Sequence, residues 1–154
     1  MKLITIVVSL LGLFVERALA CRAEYGPQLT VPGFKTNSDY SSLGATKYII
    51  VQALTTAAVQ AIQAPAATSS TILGVLQNGP KVGEAMTIAY SGLSKLVAGG
   101  ALSANGIVTT NGSGRAAAVT SGDMAIGRVL EAAGANGDVV TALLFPPFRW
   151  QGDA

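Results

Sequence analysis

Ile107-Val108-Thr109-Thr110-Asn111-Gly112-Ser113-Gly114-Arg115-Ala116-Ala117-Ala118-Val119 is the stretch that decides the fold. Two short runs, Ile107–Thr109 and Ala116–Val119, flank Asn-Gly-Ser-Gly, a cluster that turns a chain back on itself. The segment reads as a type I′ hairpin. A glycine-rich phosphate loop would instead be followed by a helix and a Lys-Ser or Lys-Thr pair, and here a β-prone run follows.

The same alternation extends in both directions. Upstream lie Tyr48–Val51, Ile72–Leu76 with a central Gly74, Ala85–Tyr90 and Leu93–Val97. Downstream lie Ile126–Leu130 and Val139–Leu144. Ser91-Gly92 reads as a break between two of these runs. Turn chemistry separates the others, at Asn78-Gly79-Pro80, Gly99-Gly100 and Asn136-Gly137-Asp138. About eight short strands at such spacing predict an all-β fold, a small barrel or sandwich. Helix has two candidates. Ala53–Ala64 is alanine-rich but weakened by Thr55, Thr56 and Val59, and Thr55–Ile62 within it could be strand or helix. Leu130–Ala135 is cut short by Gly134. A faint repeat is also present: Leu73-Gly74-Val75-Leu76 followed by Gly83-Glu84 matches Ile126-Gly127-Arg128-Val129 followed by Gly137-Asp138. Two hairpins of similar build would explain it, and a glycine inside a strand marks a bulge or a close backbone approach.

Before this body the character changes. Residues 21–46 carry Tyr25-Gly26-Pro27, Val31-Pro32-Gly33 and a polar run from Asn37 to Ser42. This is extended, proline-stiffened chain with little core of its own, expected to be an arm that needs a surface to lie on. Residues 1–20 form an apolar leader: Met1-Lys2, then thirteen uncharged residues from Leu3 to Val15, then Glu16-Arg17 and Ala18-Leu19-Ala20 before Cys21. The layout is that of a secretory signal peptide, too short to span a bilayer, although two charges interrupt it. A partner-covered apolar segment or a start codon assigned too early are the other readings. The resulting division is leader 1–20, arm 21–46, β-rich body 47–145 and a proline-aromatic tail 146–154.

Composition restricts the chemistry. Of 154 residues half are apolar and 12% charged, which excludes a disordered chain. Ten Lys/Arg against eight Asp/Glu give no dominant basic face for phosphate, so direct nucleic-acid binding is not expected. The sequence has no histidine, which removes the commonest general base and metal ligand. One cysteine, Cys21, excludes an internal disulfide framework and a cysteine-cluster zinc site. Glu84 and Asp138 each follow a glycine, and as an acid–base pair they would suggest hydrolysis; solvated turn ends explain them better. No enzymatic activity, cofactor, metal or membrane insertion is expected. The C-terminus is richer: Phe145-Pro146-Pro147-Phe148-Arg149-Trp150 gathers three of the nine aromatic residues, a composition shared by interface anchors and by a tail packed on its own barrel.

Residues 72–145 resemble the capsid decoration, or cement, proteins of tailed bacteriophages. The resemblance is carried by Ile72–Asn78, Gly83–Gly92, Lys95–Gly100, Ala125–Glu131 and Gly137–Leu144, and the arm from Tyr25 to Phe34 is similar to the start of such proteins. The apolar leader departs from that pattern. The resemblance implies a β-rich body on the outer surface of a phage head, bound to the major capsid protein and to itself, as homotrimers or similar clusters. Its expected contacts are Tyr25, Pro27, Leu29, Val31, Pro32 and Phe34 in the arm, and Phe145, Phe148, Arg149 and Trp150 in the tail. The competing expectation is an exported bacterial β-domain, secreted or periplasmic, released or anchored after cleavage near Ala20.

Overall fold

The computed structural model describes residues 29–41, 47–54, 60–63, 67–68 and 71–152. Tyr25, Pro27, Cys21 and the leader lie outside them. The fold is all-β, with no helix among the described residues. In chain order the strands are β1 (Leu29–Val31), β2 (Lys35–Thr36), β3 (Ile50–Ala53), β4 (Gln60–Gln63), β5 (Ile72–Leu76), β6 (Ile88–Val97), β7 (Ile107–Thr110), β8 (Ala116–Ala118), β9 (Met124–Val129) and β10 (Val139–Arg149). They hydrogen-bond in the order β2-β4-β3-β5-β6-β10-β9-β7-β8, with β1 added to β6. All pairs are antiparallel except β2 with β4.

β6 organises the molecule. Its first residues pair with β1 and β5, and Gly92 to Val97 pair with β10. Ser91-Gly92 is therefore not a break: one strand of ten residues runs through it. Gly92, at φ 95°, absorbs the bend where the strand passes from one sheet to the next. At its far end Ala98 bridges Ala116, and the Gly99 N–H donates to Ala116 O at 2.7 Å. That bridge brings β8 back to β6 and leaves the sheet β6-β10-β9-β7-β8 nearly closed as a small barrel.

The strands β3 and β5 bury successive residues into opposite cores. Ile50 and Val75 face the larger core, with Leu96, Val108, Ile126, Val129, Val140 and Leu144. Ile49, Val51 and Leu76 face a second core, with Tyr40, Ala61, Met86 and Ile88. Unbroken apolar runs such as Ile49-Ile50-Val51 are what a strand buried on both faces requires. The second core is covered by the arm, whose Val31 and Phe34 pack against it. Backbone bonds hold the arm in place: Met86 N donates to Phe34 O (2.8 Å), Thr36 N to Glu84 O (3.2 Å) and Tyr40 N to Pro80 O (2.8 Å). The surface on which residues 29–41 lie is thus the chain's own.

Several local expectations need correction. Between β7 and β8 the hairpin stands where the sequence puts it, but it is not type I′, which needs positive φ at both central residues. Only Gly114 has positive φ there, and Asn111 Oδ1 holds the longer loop by accepting from the N–H groups of Ser113 (2.9 Å) and Arg115 (3.0 Å). The Ala53–Ala64 helix candidate contains strand β4, because Ala61 fills the second core at a strand position. Leu130–Ala135 is an open connection in which Ala133 bridges Leu102. Pro146-Pro147 does not end β10, because a register shift between Leu144 and Phe148 takes up the missing donors.

Candidate interaction surface

Every carboxylate among the described residues accepts a backbone N–H. Asp39 accepts from Ser41 through both its N–H (2.8 Å) and its hydroxyl (2.6 Å). Glu84 accepts from Lys81 N, Asp123 from Thr120 N and Oγ1, Glu131 from Thr141 N, and Asp138 from the N–H groups of Gly134 and Ala135. Hydrogen bonds from Ser41, hydroxyl first and then N–H, hold the Asp39 carboxyl below its ordinary value against a small desolvation cost. Thr141 does the same for Glu131, with Lys95 adding a weaker pull. Glu84 and Asp138 sit on separate turns, before β6 and before β10, each engaged by its own backbone. Among the described residues no group of three His, Cys, Asp or Glu side chains could hold a metal.

The unusual surface is the outer side of β10. Inward, Val140, Ala142 and Leu144 fill the core. Outward, the same strand presents Val139 (49% exposed) and Leu143 (45%), with Phe145 half-buried; past the register shift Phe148, paired with Ala125, is 45% exposed at the end of the strand. A run apolar at both parities demands cover on both faces, and the single chain covers one. The row continues sideways through register: Leu93 pairs with Leu143, Leu143 with Arg128, and Arg128 with Ile107. Arg128 is exposed in this row, and no carboxylate engages it among the described residues.

At the end of β10 the aromatic residues line up. Phe145 and Phe148 have ring centroids 5.4 Å apart, and Phe148 and Trp150 6.1 Å apart, both tilted, within the range of favourable aromatic pairs. The 120–123 turn pins this ladder. Trp150 N donates to Asp123 O (2.7 Å), Gly122 N donates to Trp150 O (2.8 Å), and Arg149 Nη1 donates to Gly122 O (2.9 Å). Asp123 in turn accepts from the Thr120 N–H (2.8 Å) and hydroxyl (2.7 Å).

Of the contact residues expected from the sequence, Phe145, Phe148 and Trp150 form one aromatic ladder, and Arg149 turns its guanidinium to Gly122 O. Val31 and Phe34 pack onto the second core, while Leu29 and Pro32 remain exposed on the arm. Reasoning from sequence missed Val139, Leu143 and Arg128. Val139–Leu144 read only as one of the strands, and its apolar run carries no mark that separates an outward from an inward face.

No family model matches the sequence, and no curated relative does. Among solved structures the fold is similar to that described as the crystal structure of head fiber gp8.5 N base in bacteriophage phi29. The TM-score is 0.56 at 14% sequence identity, and the match covers 83% of this chain and 100% of that one. At that identity the likeness is one of fold.

Proposed function

We propose that this chain is a structural protein of a phage head, seated on the outside of the capsid as a cement or decoration protein. The observation that carries the reading is the likeness of its fold to a head-fibre base domain over the whole of that domain. The sequence resemblance of residues 72–145 to decoration proteins points the same way. The bare apolar side of β10 supplies a means of attachment: exposed apolar patches of this kind mark interaction sites, and aromatic residues with an arginine are favoured anchors. Its partners in this reading are the major capsid protein and further copies of the chain, arranged as a homotrimer. The action is mass action on an assembled lattice. A protein that binds only the intact shell stabilises it against internal DNA pressure, with no bond-making step and no cofactor.

The test begins with the particle. Mass spectrometry of purified virions of the encoding phage should find the chain. Heads stripped of it and then resupplied should recover resistance to heat and to low salt. A double variant, Leu143→Ser with Phe148→Ser, should keep the far-ultraviolet circular dichroism of the parent and lose about a hundredfold in affinity for the head, the scale of a few kcal/mol at anchor residues. Absence from virions overturns the proposal. A mature chain beginning at Cys21, recovered from a bacterial envelope fraction, would favour export after cleavage, the reading that residues 1–20 suggest.

A further inference from the structure

The sequence holds four Asn-Gly pairs: Asn78-Gly79, Asn105-Gly106, Asn111-Gly112 and Asn136-Gly137. An asparagine followed by glycine is the chemistry for spontaneous succinimide formation, because glycine leaves the following nitrogen sterically open. The fold treats the four pairs unequally. Asn78 is held at both ends of its amide: Nδ2 donates to Ala85 O (2.9 Å) and Oδ1 accepts from Thr87 N (2.9 Å). Asn111 accepts two backbone N–H bonds at Oδ1, and its Nδ2 packs against Gly99 so closely that an added Cβ there would meet it at 2.3 Å. Asn136 accepts from Arg115 Nη1 (2.6 Å), and the nitrogen that would have to attack, Gly137 N, donates to Ala98 O (2.8 Å). Asn105 differs from all three. It is exposed, it stands at φ 63° in the left-handed region, and no side-chain hydrogen bond holds it. The backbone here is held, with Gly106 N donating to Ser103 O (3.0 Å), Asn105 N to Val129 O (2.8 Å) and Val129 N to Gly106 O (3.0 Å), so what sets Asn105 apart is its unheld side-chain amide.

We infer that Asn105 is a site of covalent modification, the position at which the folded chain deamidates. The Gly106 nitrogen loses its proton and attacks Asn105 Cγ. A C–N bond forms, the C–NH2 bond breaks, and the amide nitrogen leaves as ammonia with that proton. Water then adds to either carbonyl of the five-membered ring and opens it to aspartate or isoaspartate. The net change is one water consumed, one ammonia released and one negative charge gained. No oxidant, metal or partner is needed. The new carboxylate would lie at the rim of a small cavity of about 210 Å³ lined by Leu102, Ser103, Gly106, Val108 and Val129. It would therefore alter an end of the barrel where a small hollow opens.

Peptide mapping of the folded full chain, incubated at mildly alkaline pH and sampled over weeks, tests this. Fragment ions separate Asn105 from Asn111, which share a tryptic peptide, and an isoaspartate methyltransferase assay reports the ring-opened isomer. Asn105 should convert at least about tenfold faster than Asn78 or Asn111, which must each give up two hydrogen bonds, with Asn136 between. In denaturant the four sites should react at similar rates. Conversion of Asn78, Asn111 or Asn136 as fast as Asn105 in the folded chain overturns the inference, as does an inert Asn105 beside four reactive sites in denaturant.

Discussion

Gly74 and Gly127 show most sharply what single residues decide. A Cβ on Gly74 would stand 2.2 Å from Ala89 O, and one on Gly127 would stand 3.0 Å from Leu143 O. Both obstacles are backbone of the partner strand, so neither can swing aside. The faint repeat in the sequence is therefore a structural one. The hairpins β5–β6 and β9–β10 each place a glycine where the second strand approaches closely, leaving no room for a Cβ at Gly74 and only a tight fit at Gly127. Gly74→Ala should cost roughly 3 kcal/mol or more, the upper end of overpacking effects, and Gly127→Ala about 1–3 kcal/mol. Urea unfolding of the two variants checks the order, and equal stabilities would contradict it. Asp123 acts by positioning. Asp123→Ala strips both acceptor contacts from Thr120 and should cost about 1 kcal/mol, the net worth of such bonds, because exposed Thr120 can turn to water. Because Trp150 is the one tryptophan of the chain and its backbone N–H donates to Asp123 O, its emission should move to the red as the ladder loosens. Unchanged emission would count against the pinning role.

At the scale of elements, most strands were legible and their boundaries were not. Runs such as Ile72–Leu76 and Val139–Leu144 announce themselves through β-branched and apolar residues. What could not be read was continuity. Ser91-Gly92 has the chemistry of a turn, yet β6 uses Gly92 as a bend between two sheets, a role set by which strands pair on either side. Likewise Pro146-Pro147 looks like a terminator, and only the register shift against β9 lets β10 pass it. The candidate surface was half legible. Aromatic clustering marks Phe145 to Trp150, whereas Leu143 and Arg128 became visible only when register set them side by side. The turn between β9 and β10 also carries a pH dependence. Glu131 has its carboxyl lowered by Thr141, so its contribution is present above the unfolded carboxylate range and fades as pH falls through the lowered folded value. Glu131→Gln should therefore be less stable than the parent at neutral pH, and the gap should close in acid. A gap that persists unchanged at low pH would show that charge is not the cause.

On the scale of the whole molecule, two cores raise the question of whether there are two folding units. The larger core lies within the nearly closed barrel, and the smaller lies under the arm. Shared strands argue for one unit. Ile50 and Val51 are neighbours in β3 and enter opposite cores, as do Val75 and Leu76 in β5 and Ala89 and Ile88 in β6. Melting either core would free strands that the other needs, so partial unfolding gains little entropy and loses apolar burial on both sides. The arm is then a structural lid over the second core, and its Phe34 and Val31 contribute to the stability of the barrel although they never touch the larger core. Leu96→Ala in the larger core and Met86→Ala in the smaller should each cost about 2–5 kcal/mol and should shift one common transition. Near-ultraviolet circular dichroism, Trp150 emission and hydrogen exchange of the β3 amides should lose signal together in both variants. Should Met86→Ala release the arm in a separate early step while the barrel signals hold, the sharing of β3, β5 and β6 would not bind the two cores into one.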